Sequence, residues 1–126
     1  MTGRRRFSLR PWLIRALIPS HRVGTYVLSH DTHVVYIGRS DTDLRRRLIE
    51  HARNRGPSIY FTYAIHRSSL LAYDDECSLF HAVGDSATNM AHPQSPAGTT
   101  APCGFCQVNL AATRRDRLVS SSITHV

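Results

Sequence analysis

The stretch Val23-Gly24-Thr25-Tyr26-Val27-Leu28-Ser29-His30-Asp31-Thr32-His33-Val34-Val35-Tyr36-Ile37-Gly38-Arg39-Ser40 decides the fold. Residues 23–29 and 34–38 are dense in β-branched and aromatic side chains, with His30-Asp31-Thr32 between them as a turn, so the stretch reads as a hairpin. A three-residue loop closed by Ser29 and His33 puts Tyr26 across from Tyr36 and Gly24 across from Gly38. Both tyrosines then share one face, beside two glycines that leave backbone room for something to approach.

Downstream, residues 41–54 predict a helix. Asp41, Thr42 or Asp43 can cap it, Leu44, Leu48 and Ala52 form its inward stripe, and Gly56-Pro57 ends it. Arg47 and His51, four apart, stack on one flank of that stripe, while Arg45 and Arg46 lie on more exposed sides. Residues 58–66 are strand-like and apolar enough for a strand covered on both faces. Residues 68–84 predict a second helix whose apolar arc takes in Leu79, Ala72, Val83, Phe80, Tyr73, Cys77 and Leu70, with Glu76 near its middle. A bare carboxylate there is costly, so it calls for a neutralising partner: a divalent cation, or a buried arginine such as Arg39 or Arg47.

The ends are less patterned. Residues 1–21 read as a basic arm, Arg4-Arg5-Arg6, followed by a short helix with Pro11 in its first turn and Pro19 ending it. Trp12, Leu13, Leu17 and Ile18 are expected to dock on the core, and the three arginines offer a sharper alternative as contacts to a nucleic-acid backbone. Residues 85–100 read as an irregular loop, and a frayed helix is expected at 114–118 before a polar tail. All sixteen basic side chains of this 126-residue, +7 chain are arginines. That favours an anionic partner gripped in bidentate fashion, although a GC-biased genome would enrich arginine without any such selection. Cys77, Cys103 and Cys106 are odd in number and follow no secretory leader, which points to a reducing cytoplasm, and no stretch reaches transmembrane length. Cys103-Gly104-Phe105-Cys106 is half of a zinc knuckle; His92 can supply a third ligand, and with only His125 downstream to finish the set the absence of zinc is the favoured expectation, with a zinc site the alternative left open.

Taken in order, Gly24-Thr25-Tyr26, Tyr36-Ile37-Gly38-Arg39-Ser40, Leu44, Arg47-Leu48, His51, Glu76 and Asn89 resemble the GIY-YIG nuclease domain, from about Val23 to Asn89. Thr25 departs from the Ile of the name motif; it points to the sheet's other face, where the change should be tolerated. The resemblance implies an α/β (α+β) fold with a small three-stranded antiparallel sheet flanked by helices. Residues 22–90 would then form the nuclease domain, 1–21 an arm and 91–126 an irregular extension. It also implies hydrolysis of DNA phosphodiesters with one Mg²⁺ or Mn²⁺. By analogy Tyr26 is the general base, Tyr36 orients water or phosphate, Arg47 stabilises transition-state charge, and His51 shares proton transfer or bonds Tyr26. Glu76 holds the metal, and Asn89 holds a loop or phosphate, with Asn109 a poorer substitute. Arg39, Ser40, Arg45 and Arg46 would face DNA. The competing expectation is a nucleic-acid-binding module that kept the fold without turnover. Oligomeric state, monomer or homodimer, is left open.

Overall fold

Residues 5–83 and 92–106 are described by a computed structural model. Eight-residue strands β2 (Val23–His30) and β3 (His33–Ser40) form the hairpin, and Asp31 at its tip takes φ 54°, a left-handed conformation that Asp tolerates. The turn is one residue tighter than expected, because His30 pairs with His33. A register shift between Leu28 and Ser29 then sets Tyr26 opposite Gly38 and Tyr36 opposite Leu28. The expected Tyr26–Tyr36 and Gly24–Gly38 pairings are therefore corrected by two residues. An even shift leaves every side chain on its predicted face, so the tyrosines still share one.

The sheet has four strands rather than three, in the order β1-β4-β2-β3, where β1 is Phe7–Ser8 and β4 is Tyr60–His66. Strand β1 pairs antiparallel with β4 through Phe7–Phe61 and Ser8–Tyr60. The missed strand came from residues read as an arm. Only two residues long, it carries no alternating pattern that a sequence reading can detect. Its sequel is α1 (Pro11–Leu17), with Pro11 in the first turn as expected. Leu9, Ile14 and Ile18 are all but inaccessible and belong to the main core, whereas Trp12 stays 65% exposed and does not dock as expected.

Helix α2 (Leu44–Arg55) is capped by Asp43, whose side chain accepts from the Arg46 backbone N–H. It ends at Gly56, which takes φ 87°. Its stripe of Leu44, Leu48 and Ala52 packs with Tyr26, Leu28 and Phe61 on one face of the sheet, under the cover of α1. Helix α3 (Ser69–Val83) packs on β2, β3 and β4. Thr25 and Arg39, which alternate with Tyr26 and Gly38 along the strands, bond its side chains, so α3 covers the opposite face. Ala72, Tyr73 and Cys77 are buried there, while Leu70 is 45% exposed and leaves the expected arc. Cys103 packs against Tyr73 and Cys77, joining the 92–106 segment to α3. Asn89 and the expected helix at 114–118 lie outside the described residues.

The two hairpin glycines are filled by the protein itself, not by an approaching ligand. A Cβ on Gly24 would collide with the Ala64 carbonyl oxygen and come within 2.6 Å of Leu44 Cδ2. One on Gly38 would run into the Tyr26 hydroxyl and lie 2.9 Å from Tyr36 Cε1. Because the Ala64 obstacle is backbone, Gly24→Ala is expected to destabilise the fold by about 1–3 kcal/mol. Urea unfolding checks this: the midpoint should fall while its slope is unchanged.

Candidate active site

Gly38 leaves a gap in β3 over which the Tyr26 ring lies, and Tyr36 stacks beside it with centroids 6.0 Å apart and planes within 6°. From α2, His51 reaches the pair: its Nε2 is 2.8 Å from the Tyr26 hydroxyl and its ring centroid 4.8 Å from that of Tyr36. One turn later Arg55 sets its guanidinium over the Tyr36 ring at 5.2 Å and directs Nε toward His51 Nδ1 at 3.4 Å. An arginine N–H can only donate. Nδ1 is thus the acceptor and Nε2 carries the proton, donated to the Tyr26 oxygen. Arg47 lies beside both phenols and donates to Glu50 at 3.2 Å.

These contacts polarise the group in opposite directions. Burial pushes the Tyr26 phenol well above its ordinary value, with Tyr36 and Glu76 adding to the shift and Arg47 opposing it. Burial, then the charges of Arg47 and Arg55, holds His51 down to about 4, so the imidazole is neutral at physiological pH. In this state Tyr26 receives a hydrogen bond from a neutral donor and faces a fixed cation, an arrangement that stabilises a phenolate once one forms.

On the other face of β3, which is an edge strand, Arg39 donates Nη1 to Glu76 Oε1 at 2.8 Å and Nε to Asp41 Oδ1 at 2.7 Å. It lies over the Tyr73 ring at 5.2 Å. The Glu76 side chain is 12% exposed, and burial raises its pKa against the pull of Arg39. Of the two partners foreseen for this carboxylate, the arginine is present. Asp41 also bears on it, so two carboxylates flank one guanidinium. Next to them Thr25, fully buried, donates to Asp75 at 2.6 Å, which His66 Nε2 also meets at 3.0 Å. A hydroxyl at position 25 has a use that the Ile of the name motif could not serve.

Tyr26, Tyr36, Arg47 and His51 thus form one cluster, and Glu76 stands across the β3 edge, near enough for its charge to act on Tyr26. Asn89 lies outside the described residues. Arg39 and Ser40, expected to face DNA, are used internally: the buried Ser40 hydroxyl accepts from the Asp43 backbone N–H at 2.8 Å and holds the turn into α2. Arg45 and Arg46 line a separate cavity of about 320 Å³ with Arg15 and Arg53, away from the tyrosines. Arg55 and Asp41 were missed as members of the site. The signal for Arg55 was its position four residues after His51 on one helix.

A second cluster lies at the end of α3, where His81, His92, Cys103 and Cys106 bring their ligand atoms within 4.8 Å of one another. The expectation of too few ligands fails because the missing one is upstream. His81, on α3, was hidden by its separation in sequence from the cysteine pair.

The depressed His51 pKa has a testable consequence. Between about 4 and the ordinary 6.5 the unfolded chain binds a proton there that the folded chain does not, so this contribution is complete above 6.5 and is lost as pH falls toward 4. An NMR titration should show the His51 ring protonating at about 4, and the acid-side loss of unfolding free energy should be smaller in His51→Gln.

Comparison of the chain with protein-family models, with curated proteins and with solved structures finds no match in any of the three.

Proposed function

We propose that the chain is a metal-dependent endonuclease of the GIY-YIG type, hydrolysing DNA phosphodiesters. The observation that carries this reading is the Tyr26 hydroxyl held 2.8 Å from His51 Nε2, stacked on Tyr36 and faced by Arg47. Taken singly, each residue has an ordinary structural explanation. Together they join a latent base, a proton partner and a fixed cation at one point, which a cross-strand aromatic pair does not require.

Glu76 offers a hard cation one buried carboxylate, a shell that waters and a phosphate oxygen would complete, and Arg39, its partner in the resting chain, keeps Asp41 as an anchor. When bound there, Mg²⁺ or Mn²⁺ would neutralise charge on the phosphate and favour ionisation of groups around it. The chain's own residues supply the rest. Tyr26 first loses its own proton to solvent; the His51 Nε2–H and Arg47 stabilise the phenolate so formed, which then takes the proton of the attacking water. Arg47 also faces the charge developing on phosphate oxygens, as its bidentate donors suit. Because burial disfavours the phenolate at rest, the cutting rate should climb as pH rises from 7 to 9. The arginines around the Arg15–Arg53 cavity offer further phosphate contacts and a salt-dependent affinity.

The Arg39–Glu76 ion pair favours a second reading, in which Glu76 is a structural partner and the chain binds nucleic acid without cutting it. The two part on one assay. Purified protein incubated with linear, supercoiled, flap and four-way-junction DNA should cut at least one of them with Mg²⁺ or Mn²⁺ and none in excess chelator. Tyr26→Phe is expected to slow cutting by about 10²–10⁴-fold, the usual share of a general base, and Glu76→Gln by at least about 10²-fold, while both still bind DNA. Undiminished cutting by Glu76→Gln removes the metal assignment; affinity unaffected by Mg²⁺ with no cutting of any substrate supports the binding module.

A further inference from the structure

The 92–106 segment returns to the far end of α3 and meets it through sulfur and nitrogen. Cys106 Sγ lies 3.2 Å from His81 Nε2 and 3.2 Å from His92 Nε2, and Cys103 Sγ lies 3.5 Å from His81 Nε2. A tetrahedral zinc with bonds of about 2.0–2.3 Å holds its ligand atoms about 3.3–3.8 Å apart. These three of the six spacings are already close to those of a metal shell; bringing in the rest, which reach no more than 4.8 Å, takes a movement on the order of 1 Å. We propose that His81, His92, Cys103 and Cys106 form a structural zinc site that fastens the 92–106 segment to the end of α3.

Four features beyond proximity favour zinc. The donors are two sulfurs and two imidazole nitrogens, the mixed set that selects zinc in tetrahedral geometry and suits neither Mg²⁺ nor Ca²⁺. Two thiolates balance the ion's charge, so the site can sit beside buried Cys103, which is only 6% exposed. His92 directs Nδ1 to the Pro93 carbonyl oxygen at 2.7 Å, which fixes the proton on Nδ1 and leaves Nε2 as the ligand nitrogen. Phe80 packs edge-on to both imidazoles, at 5.5 Å from His81 and 5.2 Å from His92, and Phe105 lies 6.2 Å from His81, so aromatic rings hold the two imidazoles in place. All four ligand positions are taken by protein, the closed shell of a structural rather than a catalytic zinc. A disulfide between Cys103 and Cys106 would satisfy the sulfurs without calling for either imidazole, and both thiols are free.

The sequence pattern is H-x10-H-x10-C-x2-C, with the first ligand on α3 five residues beyond Glu76. Zinc there would brace the helix that carries Glu76, yet the site would stand whether or not the chain cuts DNA.

Full-length protein purified without chelator and measured by ICP-MS should carry about one zinc per chain, and should keep it in Glu76→Gln. After zinc removal, Co²⁺ should give the intense visible bands of a tetrahedral ion together with thiolate charge transfer. Cys106→Ser and His81→Gln should each weaken zinc binding by more than about tenfold, whereas His30→Asn, outside the group, should not. Should a ligand variant fail to fold, the Co²⁺ spectrum of the unaltered chain still decides. Substoichiometric zinc with a Cys103–Cys106 disulfide, or a Co²⁺ spectrum without thiolate bands, overturns the proposal.

Discussion

A tyrosine ring laid across a glycine is the contact on which the arrangement rests. Tyr26 lies opposite Gly38 in the strand pair, and its ring occupies the volume that any other residue's Cβ would take. Since that ring is almost wholly buried, its hydroxyl must find a partner, and the α2 face presents His51 at hydrogen-bond distance. The helix is held in place for this by its own hydrophobic stripe: Leu44 and Leu48 are inaccessible and fix which flank turns toward the strand. One missing methyl group in β3 thus sets the depth of a phenol, the seat of an imidazole and, through Arg55, the imidazole's tautomer.

Burial does two separate jobs on the two faces of the hairpin. Around Tyr26 it raises the cost of a negative charge on the phenol and of a positive charge on the His51 imidazole, so both of these groups rest uncharged. Across β3 the same desolvation leaves Glu76 dependent on a cation, and in the resting chain Arg39 is that cation. Under the proposed function the carboxylate's partner changes when metal and phosphate arrive, and Asp41 gives Arg39 a second anchor that keeps the guanidinium from being stranded. Under that proposal, the ion pair seen at Glu76 and the metal would be successive partners of one buried carboxylate.

How far the sequence disclosed this depended on period and distance. Helices α2 and α3 and strands β2 to β4 were legible to within a few residues, since each is long enough to display its 3.6- or 2-residue repeat. The hairpin register was not, because the Leu28/Ser29 irregularity carries no compositional mark, yet facing survived since side chains alternate. Strand β1 escaped because two residues hold no repeat, and Trp12 misled because size and apolarity do not say which side of a seven-residue helix meets the core. In the site, Tyr26 and Tyr36 were readable as sharing one face of the hairpin and Arg47 and His51 as sharing one flank of the helix, whereas their grouping into one site followed from the resemblance to the GIY-YIG nuclease domain. His81 was not readable: nothing in its helical neighbourhood marks it, and only the return of the 92–106 segment gives it partners.

The placement of that return also accounts for a weakness in α3. The helix buries only Ala72, Tyr73 and Cys77 and leaves Leu70 and Leu71 about half exposed, so its own apolar face is too small to secure fifteen residues against the sheet. Two polar ties, Thr25 to Asp75 and Arg39 to Glu76, hold its middle to β2 and β3. Its far end has neither tie. There the contacts come from Cys103 and the imidazole–sulfur cluster, which substitute chemistry for missing hydrophobic area, as small domains commonly must. The residue five positions before His81 is Glu76, so whatever fixes the end of α3 also fixes the direction in which the buried carboxylate faces the β3 edge.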